Sequence, residues 1–192
     1  LSFSLVSNDN LLQTGINGMI NFNQNETEYT LAANIDYANL SELNIFRKDS
    51  NAIVSASGII VDLMGNKLEN LKGKIEIIDL TYRENDKTFP LNDMRLSIES
   101  SDNMDKNLNF TSSTLSINAN GNFSYLEIAP VVQNVLNNYL PHAITKSNKT
   151  ISDSIQNIDL EINMKQSVPL FELFIPQMVC NDGLHLKTTI NS

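Results

Sequence analysis

The residues of this chain that could do chemistry are few and poorly spaced for it. Its two histidines are His142 and His185, and its one cysteine is Cys180. A zinc site needs several Cys or His ligands at short spacings, and none are grouped so. A serine nucleophile needs a Gly-x-Ser-x-Gly elbow or a comparable arrangement, and none occurs. No glycine-rich phosphate loop is present. Asp102 and Asp105 lie in a polar run from Ser100 to Asn107, but their spacing matches no EF-hand loop, so the run reads as a solvated loop. Acidic pairs such as Asp79 and Glu84 occupy ordinary strand and turn positions. Cys180 beside Val179 reads as a small buried hydrophobe. The residue pattern therefore points to no catalytic group, no metal site and no cofactor.

What remains is the framework that would have positioned such groups, and it is strongly patterned. Apolar residues alternate with polar ones at period two, the mark of half-buried strands. The stripes include Leu1, Phe3 and Leu5; Ile16, Ile20 and Phe22; and Tyr29, Leu31, Ala33 and Ile35. Further stripes are Ile53, Ile59, Val61 and Leu63; Met94, Leu96 and Ile98; and Leu115, Ile117 and Ala119, running on to Phe123 and Tyr125. Leu160, Ile162 and Met164, then Leu184, Leu186 and Ile190, complete the set. From Lys74 to Tyr82 the apolar face switches at Ile77-Ile78, which predicts a β-bulge. Asn-rich turns separate the strands.

One segment breaks the rhythm. Ile128, Val131, Val132, Val135, Leu136, Tyr139 and Leu140 follow three-four spacing and predict one amphipathic helix near 128–140. Ser124 and Glu127 could form a capping box. Pro130 argues instead for a start near Ala129, because proline belongs in a first turn. Pro141 ends the helix. Val132, Val135, Leu136 and Tyr139 would dock it on the sheet. A weaker helical signal spans Leu40 to Phe46.

Composition sets the surroundings. With 41% hydrophobic residues the chain can fold around a core, and with only 18% charged its polar surface falls to Asn, Ser and Thr. The net charge of −9 and the scattered Lys and Arg argue against nucleic-acid partners. No run is long enough for a transmembrane helix. The chain begins in mid-alternation without an initiator Met, which reads as a segment excised from a larger protein. We expect a single β-rich unit over 1–192, with at most a loose division into 1–50 and 52–192.

Several words stand out beyond the alternation. Gly58-x-x-x-Asp62-x-x-Gly65-Asn66 is followed by Leu68-Glu69-Asn70-Leu71-Lys72-Gly73, then by Gly121-Asn122-Phe123, and by Tyr139-Leu140-Pro141. Together with Asn157 to Met164 and Phe171 to Met178, they resemble the TamB translocation-and-assembly-module family in its Bacteroidetes form, within the AsmA-like group. The likeness covers roughly 52–192. The familiar family version has a Ser-Asp pair before the Gly-Asn-Phe strand, where this chain has Ser112-Ser113-Thr114.

The resemblance implies a large periplasmic protein anchored in the inner membrane by a segment outside this chain. It implies a repetitive antiparallel sheet curled into an apolar trough, a β-taco. The partners implied are phospholipid acyl chains and, through the full-length protein, an outer-membrane barrel of TamA/BamA type. The activity implied is non-enzymatic: lipid transport and outer-membrane assembly. Candidate trough residues are Ile59, Val61, Ile75, Leu96, Ile98, Leu115 and Ile117. The alternative is a secreted or cell-surface binding or adhesive module whose stripes pack into a closed core.

Overall fold

A computed structural model describes residues 1–23, 25–45, 51–100, 105–139, 157–165 and 183–191, without the side chains of Ala129, Leu136 and Tyr139. His142 and Cys180 lie outside the described residues.

The period-two segments form ten strands: β1 (Ser2–Asn8), β2 (Leu12–Phe22), β3 (Thr27–Asn39), β4 (Ala52–Met64), β5 (Lys72–Glu84), β6 (Lys87–Ser100), β7 (Lys106–Ser112), β8 (Leu115–Asn122), β9 (Asn157–Met164) and β10 (Leu184–Asn191). They pair in sequence order within one sheet, β1 through β10, every neighbour antiparallel. The sheet is open, with β1 at one edge and β10 at the other. The fold is mainly β, as the alternation predicts.

The bulge read at Ile77-Ile78 is present. The β5–β6 register shifts between Ile77 and Leu80, and Asp79 adopts φ 51°. Further irregularities interrupt β2–β3 at Gln13/Thr14 and β3–β4 between Ala33 and Ala38. Each adds local bend and twist, so the middle of the sheet curves instead of lying flat.

Among the described residues the one α-helix, α1 (Tyr125–Tyr139), follows β8 directly. It starts earlier than Pro130 suggests, and the strand expected to run on to Tyr125 ends at Asn122. Proline lacks the N–H that would bond the Leu126 carbonyl, yet Pro130 sits buried inside the helix. The first turn is held from outside: Phe123 is buried and Tyr125 packs on Lys106, 4.4 Å from ring centroid to Nζ. The Ser124 hydroxyl, one half of the capping box read from the sequence, donates to Glu69 at 2.8 Å.

Two other expectations change. Leu40 to Ile45 makes hydrogen-bonded turns, with Asn44 at φ 57°, in place of a helix. The polar run from Ser100 to Asn107 is not all loop, because Ser100 ends β6 and Lys106 opens β7.

The core lies where α1 covers the sheet. Ile158, Leu160 and Ile162 of β9 are almost wholly buried with Leu108, Ala119, Leu186, Phe123 and Val131. Val132 and Val135 pack against this group. They are the described part of the docking face read from the sequence; the side chains of Leu136 and Tyr139 lie outside the described residues. Elsewhere Tyr82 and the buried Phe89 pair at 6.2 Å between ring centroids.

Candidate functional site: an apolar ladder and its clasp

Cross-strand partners share a face of the sheet, so the register shows what each face carries. One line of partners runs through all ten strands: Phe3, Gly18, Leu31, Val61, Ile75, Leu96, Phe110, Ile117, Ile162 and Leu186. No polar side chain interrupts it. At its one gap, Gly18, the Phe3 ring lies where a Cβ would stand. A parallel line joins Leu5, Ile16, Ala33, Ile59, Ile77 and Met94. The face carrying these lines, which also carries α1, is called the inner face.

The outer face is its opposite. The adjacent line reads Ser4, Asn17, Ala32, Ile60, Glu76, Arg95, Thr111, Ser116, Asn163 and His185. Arg95 and Glu76 pair across it at 3.1 Å. Asn107 donates to Asn120 at 2.5 Å, and Thr189 to Asp159 at 2.6 Å. His185 contacts Asn163 on this polar side.

The structure therefore brings all the trough candidates onto one face: Ile59, Val61, Ile75, Leu96, Ile98, Leu115 and Ile117. It also divides them. Ile59, Val61 and Ile75 lie on the half-buried stretch that no described element covers. Leu96, Leu115 and Ile117 pack against the core beneath α1, and Ile98 is buried beside Leu108.

The boundary between the two stretches is fixed by a cluster that the sequence pattern did not reveal. Lys106 lies on the inner face of β7, two residues before Leu108, with its side chain 7% exposed. Its ammonium donates to Glu69 and to the Phe123 carbonyl, both at 2.6 Å. It also sits 4.4 Å from the Tyr125 ring centroid and 5.8 Å from that of Phe123. Lysine is almost never buried without such partners. Glu69 belongs to a short 3-10 turn, Leu68–Asn70, between β4 and β5. Tyr125 donates its hydroxyl to the Leu71 carbonyl at 3.2 Å.

This clasp spans the sheet. In a flat sheet β5 and β8 stand three spacings apart, about 14 Å. Here the β4–β5 turn touches both the start of β7 and the start of α1, so it reaches across the end of β6 on the inner face. Gly121, paired to Lys106, stands at φ 129°, and a Cβ there would collide with the Asn157 carbonyl. Asn66 extends the tie by accepting from the Thr27 backbone at 3.0 Å and donating to the Asn25 carbonyl at 2.8 Å. Lys72 pairs with Glu26 at 2.8 Å.

The electrostatics of the clasp follow from burial and charge. Burial alone would raise the Glu69 carboxyl, but hydrogen bonds from Lys106 and Ser124 and the lysine charge outweigh it, holding the group below its ordinary range. Burial, helped by the Glu69 charge, pushes the Tyr125 phenol up to about 12.

Among the described residues, no group of His, Cys, Asp or Glu could hold a metal ion, and no helix is long and apolar enough to cross a membrane. No family model, curated protein or solved structure matches the chain.

Proposed function

We propose that this chain is a non-enzymatic segment of a TamB-like envelope protein whose inner face holds phospholipid acyl chains. The observation that carries the reading is the apolar line through all ten strands, uncovered by any described element from β1 to β5. An acyl chain makes no hydrogen bonds, so it favours a path with no polar obstacle; burying an unpaired polar group beside it is costly. From β1 to β5 the line is about 19 Å long at ordinary strand spacing. That exceeds half the roughly 30 Å bilayer core, the depth one acyl chain occupies. In this proposal the resemblance supplies the setting: the periplasm, an inner-membrane anchor elsewhere in the parent protein, and an outer-membrane barrel of TamA/BamA type as its partner.

The competing reading, a binding or adhesive module with a closed core, draws on a different observation. Over β7 to β10 the inner face is already filled by α1. On that reading the open stretch is a face awaiting a protein partner, and the Asn, Ser and Thr residues of the outer face are the adhesive surface.

Site-specific photo-crosslinking in cells, in the full-length protein, separates the two. Crosslinkers at Ile59, Val61 and Ile75 should capture phospholipid. Those at Arg95 and Glu99 on the outer face, and at Ile162 beneath α1, should not. Equal capture from both faces, or none from the inner one, would overturn the lipid reading.

A further inference from the structure

The irregularities of the sheet fall on one line. The β2–β3 register shifts at Gln13/Thr14, and Thr14 pairs with Ile35, where the β3–β4 register shifts in turn. β4 and β5 pair at Gly58–Ile78 and again at Ser55–Thr81, leaving Ala56 and Ser57 opposite Asp79 and Leu80. The β5–β6 register shifts on both sides of the Leu80–Asn92 pair. β7 ends at this line, its Ser112 paired with Met94. Four neighbouring strands slip their apolar phase by one residue there: from Ala33 to Ala38, Ile59 to Ala56, Ile77 to Tyr82 and Met94 to Phe89. Such a slip is what one extra residue makes in a two-residue period.

Side chains take over from the ladder along this seam. The Thr14 hydroxyl donates to the Asn34 carbonyl at 2.5 Å, the Ser57 hydroxyl to Asp79 at 2.9 Å, and the Asp79 N–H to Asp93 at 3.0 Å. The two bonds at Asp79 are open to water. Asp79 and Asn92 stand at φ 51° and 57°, a region that Asp and Asn enter more readily than most residues. An unbroken antiparallel ladder couples strands through paired backbone bonds; here a few side-chain bonds carry that coupling.

Beyond the seam, β3 to β6 run on as a four-strand end with a small core of its own. Leu12, Ala38, Val54, Tyr82 and Phe89 form one cross-strand line. Ala38, Ala52, Ala56 and Phe89 are buried, and the Ala52 N–H donates to the Ser41 hydroxyl at 3.0 Å. None of these residues belongs to the core beneath α1. A unit with its own core, joined through solvent-exposed bonds, can turn as a body where its junction yields.

We propose that this four-strand end is a hinged lip of the trough, which turns about the seam of Thr14, Ser57, Asp79 and Asp93 and sets how wide the open stretch stands. What the lip closes on, an acyl chain, rests on the lipid reading above; the hinge does not.

Pulsed electron–electron double resonance between two spin labels tests this in the 192-residue chain carrying Cys180→Ser. The lip pair is Asp86→Cys, in the β5–β6 turn, with Lys74→Cys on the outer face of β5; both positions are exposed. A straight strand would hold them about 40 Å apart. The reference pair is Lys74→Cys with Lys187→Cys. These share one cross-strand row, about 24 Å long at ordinary strand spacing. The lip pair should fall short of the straight-strand distance and show a broader distribution than the reference pair. Asp93→Ala removes the acceptor of the Asp79 N–H, and Asp79→Gly loosens the backbone at its left-handed position. Each should broaden the lip distribution further and leave the reference pair, the check on folding, unchanged. Dihexanoylphosphatidylcholine, added below its micelle threshold, should narrow the lip distribution. A lip pair as narrow as the reference pair, or one that neither substitution moves, would overturn the hinge. A lip that answers to the substitutions but not to the lipid, in a chain whose inner-face crosslinkers capture no phospholipid, would support the hinge and overturn the lipid reading instead.

Discussion

The two ends of this sheet are made of the same pattern and end in different states. From β7 to β10, alternating apolar residues disappear under α1; Ile158, Leu160 and Ile162 are almost wholly buried. From β1 to β5, the residues of the two apolar lines stay half-buried or exposed, and apolar burial there is confined to Ala38, Ala52, Ile53 and Ala56 at the far end of β3 and β4. Nothing in the strand pattern distinguishes them. The difference is one element of fifteen residues and the clasp that seats it. Strand alternation thus specifies an apolar face but not its cover, and among the described residues the cover ends part-way across.

That contrast has an energetic consequence. Removing the same atoms should cost very different amounts at the two ends. Leu160→Ala in the covered half should lower the unfolding free energy by about 3 kcal/mol or more, since it leaves a cavity in a packed site. Leu31→Ala lies on the open half, where much of the surface is already wet, and should cost only about 1 kcal/mol. Paired urea titrations measure both. Equal losses would mean that the open half is covered in solution and that the two ends do not differ.

The helix offers the next test. Val131 is 2% exposed and Leu126, in the same first turns, is 67% exposed. Val131→Asp buries an unpaired carboxylate and should cost about 2–3 kcal/mol, with a rise in dye binding as the covered half opens. Val135→Asp, at a half-buried position, should cost less. Leu126→Asp should fall within about 0.5 kcal/mol of the parent. If Val135→Asp melts like the parent, α1 is not docked through that side.

Much of this architecture can be read from residue order alone, and the omissions have physical causes. Alternation locates most strands, and the slip at Ile77-Ile78 locates a bulge, because both are local consequences of a two-residue period. β7 is harder to see. Its inner positions are Lys106, Leu108 and Phe110, and a charge at the first hides the stripe. That lysine is tolerated because Glu69, 37 residues earlier, and the Phe123 carbonyl, 17 residues later, both reach it. Likewise, Pro130 predicts a later helix start, but Tyr125 and Ser124 are held by partners 54 and 55 residues away. The candidate trough residues come out on one face because a face is a local property. Their division into open and covered sets depends on where α1 folds back, which no spacing encodes.

The smallest effects belong to the clasp, and they sharpen the comparison by asking how firmly the boundary is set. Glu69→Gln leaves the Lys106 ammonium buried without a counter-charge, among neutral acceptors and two aromatic rings. It should cost about 1 kcal/mol, a modest figure because Glu69 itself is half exposed to solvent. Lys106→Met, close in volume and uncharged, should cost less, because it removes the buried charge together with its need for a partner. The pH dependence has two arms of opposite sign. The Glu69 carboxyl is lowered in the folded chain, so its contribution is present above the ordinary carboxylate range and is lost as pH falls through the lowered value. The Tyr125 phenol is raised from 10.0 to about 12, so the unfolded chain ionises first and stability declines as pH climbs from 10 towards 12. Ultraviolet titration of the tyrosines should show a late-ionising phenol that vanishes in Tyr125→Phe. In Glu69→Gln it should ionise earlier, because the carboxylate charge that helps hold it up is gone. An unmoved titration in Glu69→Gln would place Glu69 away from Tyr125 in solution and leave the covered half without its seam.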